Sequence, residues 1–563
     1  MTRPSMPALR PFAASVAIVF SSFLAHSSVR ASPPDDMEQA LAHFRNREWT
    51  QAATVYQRVL SANSYVGGHW SNYGFAVHQL GRYEESLRAF KKSVELGAAP
   101  ATNMYNVACA NAQLGNKAEA LAWLEKALDA GFVGPNDLLR TDVDLDPLRD
   151  DPRFDKIVGV NPPEGLSRGQ RWRYDLDYLA RRMERVHYDL YAKASRASFQ
   201  KAVQELKRSV ADRKNFEIVL GIQRILAMIG DGHTRIRHTR AGRLAFHRNP
   251  VEFYAFADGL FVRRAAPEFG SVLGARVVRI GNAPVKQALE AVTPLCSVDN
   301  AMGIRLQAPR LLSTPEVLVT LGFTSDLEKT PIVVENAEGE RTTVELPARP
   351  IGEIGALVAA NAKAEPALPL YLKNTTDPWW FEYLPDRKLV YFQYNGVRDK
   401  PDRTLADFCE ELFRFVNENS VEYLVIDMRL NGGGNNFLNR SLVHGLIKAE
   451  KINRRGHLFT IIGRRTFSAA MNGAVDIERN TEALFVGEPT GSSPNFVGET
   501  TLITLPCSGL SFSCSSLYWQ SSTATDHRTW IAPDLVAELS STDFRNNRDP
   551  AMEAVFDYME STQ

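Results

Sequence analysis

Small residues recur every 34 positions near the start of this 563-residue chain. Ala40, Gly74 and Ala108 hold one register, Ala52, Ser86 and Ala120 a second, and Tyr56, Phe90 and Leu124 a third. Small side chains let two helices approach closely, and a bulky neighbour fills the gap beside them. A period of this length therefore predicts stacked helix pairs, each burying its apolar face against the next. "GRY" at Gly81 and "GNK" at Gly115 mark the turns inside the second and third pairs. An ordinary helical bundle has no common period, and here three registers agree on one.

The pattern resembles three tetratricopeptide repeats over residues 37–131. Such arrays present a surface to a peptide or partner domain, so a protein partner on the repeats is expected, although nothing in the residues names it. Residues 132–167, rich in Asp and Pro ("DVDLDPLRDDPRFD"), read as a linker. Apolar residues then recur at helical spacing through 168–240 ("WRYDLDYLARRMERV", "FEIVLGIQRILAMI"), a helical lead-in to the next region of the chain. Short β-branched runs between Gly, Pro and Asn make 250–350 mostly strand, and "LGARVVRIGNAPVKQALEAV" resembles the closing part of a PDZ domain. Across 380–560, strand-like "KLVYFQY", "EYLVIDM" and "LFTII" alternate with helical segments, the signature of an α/β core on a largely parallel sheet. The fold class expected is thus multidomain: an α-helical repeat array, a helical lead-in, a mostly β PDZ-like region and an α/β core.

Arg3 and Arg10 precede an apolar run ("FAASVAIVFSSFLA"), and Val29-Arg30-Ala31 supplies small residues before Ser32. Residues 1–31 read as a cleaved signal peptide, placing the chain outside the cytoplasm, periplasmic or extracellular in a bacterium. The alternative is an N-terminal anchor, for which the run is short. Lys+Arg and Asp+Glu both number 65, so no overall field draws nucleic acid or an anionic membrane, and neither partner is expected. The five cysteines form no C-x-x-C pair, and Asp427, Asp534 and His527 have no metal-ligand spacing; no metal and no cofactor is expected.

Two strand-to-helix turns concentrate the chemistry. The first, Asp427-Met428-Arg429-Leu430-Asn431-Gly432-Gly433-Gly434, follows the strand "EYLVI". Consecutive glycines let the backbone approach a ligand and aim N–H groups at it, which makes an anion or oxyanion cradle. The loop lacks both the Gly-Lys-Ser/Thr ending and the G-x-G-x-x-G spacing of nucleotide sites. The second, "GRRTFSAAMNG", places Ser468 between an apolar run and a helix, the setting of a nucleophile elbow without its G-x-S-x-G. An N-cap serine would occupy the same place, and spacing alone leaves both open. Asn472, Tyr394, Asn395 and Asp231 are possible cleft-lining groups.

"LVIDMRLNGGG", "TFSAAMNGA", "ALFVGEPTGSSPN" and "WIAPDL", in this order, are similar to the core of the tail-specific protease family, which includes C-terminal processing proteases and the tricorn protease core. "LAMIGDGHTRIR" resembles the Asp-Gly-His-Thr signature of the branch that uses histidine. The resemblance spans about 170–558 and implies a serine-peptidase core with Ser468 as nucleophile. It implies an oxyanion hole from Gly433 or Gly434 with the N–H of Ala469. Processing proteases pair their serine with a downstream lysine, but no lysine follows Lys451, and the matching loop carries Ser492 and Ser493. His233 is therefore the expected general base, a role for which neutral imidazole suits. The tricorn-like pattern has a glutamate near "APD"; here Asp526 is the nearest carboxylate, about one position off, with Asp231 the alternative orienting group or simply a turn-former. The implied activity is exported serine-type peptidase chemistry on peptides or unstructured protein ends. A silent peptide-binding scaffold and a hydrolase of non-peptide esters or amides are the competing readings.

Overall fold

A computed structural model describes residues 34–132, 138–159, 162–236, 246–362, 364 and 367–561. The proposed signal peptide lies outside the described residues, as do the end of the lead-in at 237–240 and parts of 132–167. No helix among the described residues is long and apolar enough to cross a membrane. The chain divides into two compact units, Met1–His187 with Thr501–Leu510, and Tyr188–Thr500 with Ser511–Gln563.

In the first unit, helices Pro34–Arg45 and Trp49–Ala62, Gly67–Gln79 and Tyr83–Glu95, and Pro100–Gln113 and Lys117–Asp129 pack as three successive pairs. Every residue of the three sequence registers is buried. The reason for the small positions is visible at Gly74: a Cβ there would lie 2.9 Å from Cδ1 of the Phe90 ring and 3.1 Å from Cβ of Ala89.

The expected linker is instead folded structure. A 3-10 turn, Val143–Leu148, and the helix Pro152–Val158 bury Leu145, Leu148, Phe154 and Val158 against the last helix pair. Its aspartates are caps: Asp142 accepts from the N–H of Asp144 and Asp151 from that of Arg153, both at 2.9 Å. A composition rich in Asp and Pro marked helix starts rather than a connector.

The helix Arg168–Val186, begun by a Ser167/Gln170 capping box, also belongs to this unit rather than to the lead-in. Arg182 Nη2 donates to Phe132 O at 3.3 Å and Arg185 Nη1 to Ile157 O at 3.2 Å. Asp175 accepts from the N–H groups of Cys507 and Ser508, each at 2.8 Å, holding the hairpin tip that the sequence places far away.

In the second unit the lead-in continues as helices Arg196–Ser209 and Asn215–Ala227. A seven-stranded sheet comes next, with Gly259–Ala265, Arg276–Ile280, Lys329–Glu335 and Arg341–Pro347 in order and Val251–Phe256 paired to the first of these. "ARVVRIGNAPVKQALEAV" forms strand Arg276–Ile280 and helix Val285–Val292 as expected. The region is less purely strand than its composition predicts, because Ala301–Leu311 and Pro315–Thr320 are helices.

The core is a six-stranded sheet in the order Trp379–Leu384, Leu389–Tyr394, Tyr423–Asp427, Leu458–Ile462, Leu484–Gly487 and Leu535–Val536. Its first pair is antiparallel and the rest parallel. Strands Leu389–Tyr394, Tyr423–Asp427, Leu458–Ile462 and Leu484–Gly487 are buried along their whole length, as strands covered on both faces must be. Val390, Phe392, Leu424 and Ile426 join one apolar cluster, while Leu389, Tyr391, Tyr423 and Val425 join another on the opposite face. The register aligns Gln393 with Asp427 and Asp427 with Ile461, and Ile462 with Gly487. The strands' carboxyl ends are level, so their loops leave from one edge, where ligands bind in such sheets.

Candidate active site

Ser468 stands at the start of the helix Ala469–Asn480 with φ +57° and ψ −129°, a region side-chain-bearing residues rarely occupy. It holds the N-cap position but makes no capping hydrogen bond. Its Oγ lies instead 3.0 Å from Nε2 of His233. The hydroxyl thus makes no cap for the helix it precedes and is engaged with the imidazole instead. Strain of this kind costs of order 1–3 kcal/mol and persists where surrounding contacts over-determine it. The contacts here are Thr466 N to Gly463 O at 2.8 Å, Thr466 Oγ1 to Met428 O at 3.0 Å and Phe467 N to Asn431 O at 3.3 Å.

The turn that carries His233 is held by two carboxylates. Gly232 N donates to Asp299 Oδ1 at 2.7 Å, and the N–H groups of His233 and Thr234 donate to Asp231 Oδ1 at 2.8 and 2.7 Å. Ser515 Oγ donates to the same oxygen at 2.7 Å. Asp231 therefore shapes the backbone around His233. The imidazole is buried and stacked on Phe467, centroids 4.4 Å apart, and on Phe496 at 5.5 Å, which fixes its plane. A Cβ on Gly232 would lie 2.7 Å from the Phe467 ring, so only glycine lets the turn sit this close.

The glycine loop lies directly against the serine. A Cβ on Gly433, which has φ +100°, would be 2.7 Å from Cβ of Ser468 and 2.9 Å from N of Ala469. Gly433 N already donates to Asn431 Oδ1 at 3.0 Å. Among the described residues no acceptor takes the N–H of Gly434 or of Ala469. The loop's base is rigid: Asp427, fully buried, accepts from Arg429 and from Tyr391 Oη at 2.7 Å, and Arg429 also pairs with Asp549 at 2.7 Å.

Other expected residues fall elsewhere. The Asp526 carboxylate is held by Arg528, whose Nη2 approaches to 2.8 Å, and this pair keeps its acidity well above that of an ordinary carboxyl; it does not reach His233. The one-position departure from the tricorn-like pattern thus coincides with a carboxylate already committed to a neighbouring guanidinium. Tyr394 does not line a cleft: it is fully buried and donates to Asn439 Oδ1 at 2.9 Å, while Asn439 Nδ2 donates to Ala469 O at 2.8 Å. It props the helix start from behind. Asn395 donates to Asp377 O at 2.9 Å, a local bond. Asn472 is buried one helical turn beyond Ser468, its Oδ1 without a donor among the described residues.

Sequence reasoning missed Asp299, Asn431 as an amide-holder, and the two phenylalanines beside the imidazole. Asp299 also accepts from Ser492, in the loop where processing proteases carry lysine. Burial pushes the Asp299 carboxyl up to about 6, against the opposing bonds from Ser492 and Gly232. No motif marks it, because its position depends on a loop far along the chain. In the first unit Cys109, Asp142 and Asp144 bring three ligand atoms within 4.8 Å of one another. Tyr105 Oη donates to Asp142 at 2.5 Å, and His78 Nε2 lies 2.9 Å from Asp144.

A serine and a histidine are thus in contact beside a glycine loop that follows a strand of the parallel sheet. No known protein-family profile matches the chain, and no curated protein matches it in sequence. Over about 70% of its length its fold is nevertheless similar to that of mature CPAF. The structure of mature CPAF complexed with lactacystin aligns at 13% identity and a TM-score of 0.50, over 70% of this chain and 98% of that one. A CPAF mutant aligns at 11% identity and the same TM-score of 0.50, over 70% and 96%. The photosystem II D1 C-terminal processing protease aligns at 15% identity over 69% and 97%, with a lower TM-score of 0.35. At such identities the likeness to CPAF is one of fold.

Proposed function

We propose that the protein is a serine peptidase acting through an acyl-enzyme. The observation that carries this is the 3.0 Å approach of His233 Nε2 to a Ser468 Oγ that caps nothing. Ser468 Oγ attacks the scissile carbonyl carbon while Nε2 takes its proton; the proton then passes to the leaving amine as the C–N bond breaks. Water, deprotonated by the same nitrogen, then attacks the acyl carbon; the carbon–Oγ bond breaks, the imidazole returns its proton to Ser468 Oγ, and the acid leaves. The N–H groups of Ala469 and Gly434 are the donors for the oxyanion, since Gly433 N is occupied by Asn431. Asp231 and Asp299 position the histidine through its backbone. The substrates are peptides or unstructured protein ends, the chain is exported, and the helix pairs of the first unit recruit a partner or substrate.

Labelling by a fluorophosphonate probe tests this: labelling that disappears in Ser468→Ala supports the assignment, and an unlabelled wild-type protein overturns it. One observation favours a second reading, a silent peptide-binding scaffold: the carboxylate expected to orient the base is bound to Arg528. Peptide binding without probe labelling is the outcome that reading requires.

A further inference from the structure

The turn that carries Ser468 is anchored to the strand Val251–Phe256. Arg464 Nη1 donates to Ala255 O at 2.6 Å, and the guanidinium groups of Arg464 and Arg263 lie 4.8 and 4.4 Å from the centre of the Tyr254 ring. Just before this strand, Asn249 N donates to Ser313 O at 2.8 Å, which brings Arg248 beside the end of the helix Ala301–Leu311 and its Arg310. Arg310 thus has Arg248 beside it and is close enough for its charge to act on Arg465 of the nucleophile's turn as well.

The carboxylates nearby are already taken. Glu488 pairs with Arg464, Glu252 with Arg263, Glu538 with Arg305 at 3.1 Å, and Glu316 with His247 at 2.7 Å. Among the described residues no carboxylate lies within ion-pair distance of Arg248, Arg310 or Arg465, and Nε of Arg248 is buried without an acceptor. Desolvation, and next repulsion from Arg310, lower the pKa of both Arg248 and Arg465. Arg310 and Arg465 remain accessible to solvent. The Glu252 charge acts in the opposite sense on both Arg248 and Arg465, but it is paired with Arg263, so an anion arriving from outside would find guanidinium groups without an ion-pair partner of their own.

We propose that Arg248, Arg310 and Arg465 form an anion subsite that selects peptides carrying acidic side chains a few residues from the bond cleaved at Ser468. The proposal rests on Ser468 being the nucleophile. Arg465 precedes Ser468 by three residues, so their Cα atoms are at most ~11 Å apart, about the length of three residues of extended peptide. A single carboxylate has two oxygens and satisfies at most about two guanidinium forks. Three guanidinium groups without an ion-pair partner therefore offer more donors than one carboxylate can use, which an acidic stretch matches better than a lone peptide terminus.

The test uses the full-length Ser468→Ala protein and labelled peptides differing only in Glu or Gln at positions two to four from the cleavage point, each with a free or an amidated C-terminus. Fluorescence anisotropy should show Glu peptides bound about 10-fold more tightly or better at low salt. The preference should shrink at high salt and collapse toward unity in Arg310→Gln. Equal affinity for Glu and Gln peptides, or no binding, overturns the subsite. A preference that follows the free C-terminus instead of Glu overturns the side-chain assignment. Because binding is read without turnover, a Glu preference alongside a wild type that cleaves nothing sustains the subsite and defeats the peptidase reading; cleavage without charge preference does the reverse.

Discussion

Gly74 and Gly433 both sit where a Cβ would collide with a neighbour, yet they serve different ends. Gly74 lies in a regular helix and makes room for the Phe90 ring, 2.9 Å from the missing Cβ. The position repeats as Ala40 and Ala108. Gly433 takes φ +100° and makes room for Ser468, itself at φ +57°. The first glycine serves packing, which is local, periodic and tolerant. The second lets two strained backbones meet, which no period announces and only a specific pair of loops requires.

The sharpest test of that contrast is Ser468→Ala. If the strain at Ser468 serves chemistry, the substitution lowers kcat/KM for a short peptide by about 10⁴-fold or more while the thermal midpoint barely moves, since the hydroxyl caps no helix. Ser468→Gly should be equally inactive but melt higher than Ser468→Ala, because glycine accepts the positive φ without cost. An inactive variant that also melts far lower would make the serine a structural residue after all.

His233→Ala comes next, with an expected loss of about 10² to 10⁴ in kcat/KM, the range for a general base. Steady-state rates at several pH values check it. A near-normal rate would demote the Asp-Gly-His-Thr turn to architecture.

The glycines can then be compared directly. Gly433→Ala should cost about 10²- to 10³-fold in kcat, the scale of a disturbed oxyanion donor, since its Cβ would press on Ala469 N. Gly74→Ala should leave that rate alone and act only on melting, where overpacking costs about 1–3 kcal/mol and the gain in helix propensity returns up to about 1 kcal/mol. Calorimetry and peptide turnover on the same two proteins decide whether packing and chemistry are separable.

Periodic features were legible in the sequence because each residue reports on its own element. The three small-residue registers predicted the helix pairs, and whole-length apolar runs such as "YLVID" predicted the doubly covered strands. Ser468, His233 and Gly433 were legible because they fall in short ordered motifs, and the structure brings all three together. Composition misled where one residue type has two uses. Asp142 and Asp151 looked like parts of a linker and are helix caps. Asp299 was beyond reach, since its role exists only once the Ser492 loop and the His233 turn converge on it.

Asp299 also gives the smallest and most discriminating effect. Its carboxylate accepts from Gly232 N and Ser492 Oγ, tying the loop of one motif to the turn of another. Burial, with a further contribution from the Asp231 charge, raises its pKa to about 6, while Ser492, Gly232 and Lys193 pull the other way. The unfolded carboxyl ionises near ~3.9. Between that value and about 6 the folded protein holds a proton that the unfolded chain has released, so the native state binds more protons and stability falls as pH rises through this window. Asp299→Asn removes this titration and keeps an amide oxygen for Gly232 N. Carboxyls other than its neighbour Asp231, whose charge acts on it, titrate alike in both proteins, so the informative quantity is the melting temperature of the variant minus that of the wild type. That difference should climb as pH rises from about 4 to about 7, the variant being the less favoured at the acid end. Ser492→Ala should move the climb to higher pH, because it removes a donor that favours the ionised form. A difference that stays flat with pH would mean the carboxyl is ordinary and the two loops are held by packing alone, as the helices around Gly74 are.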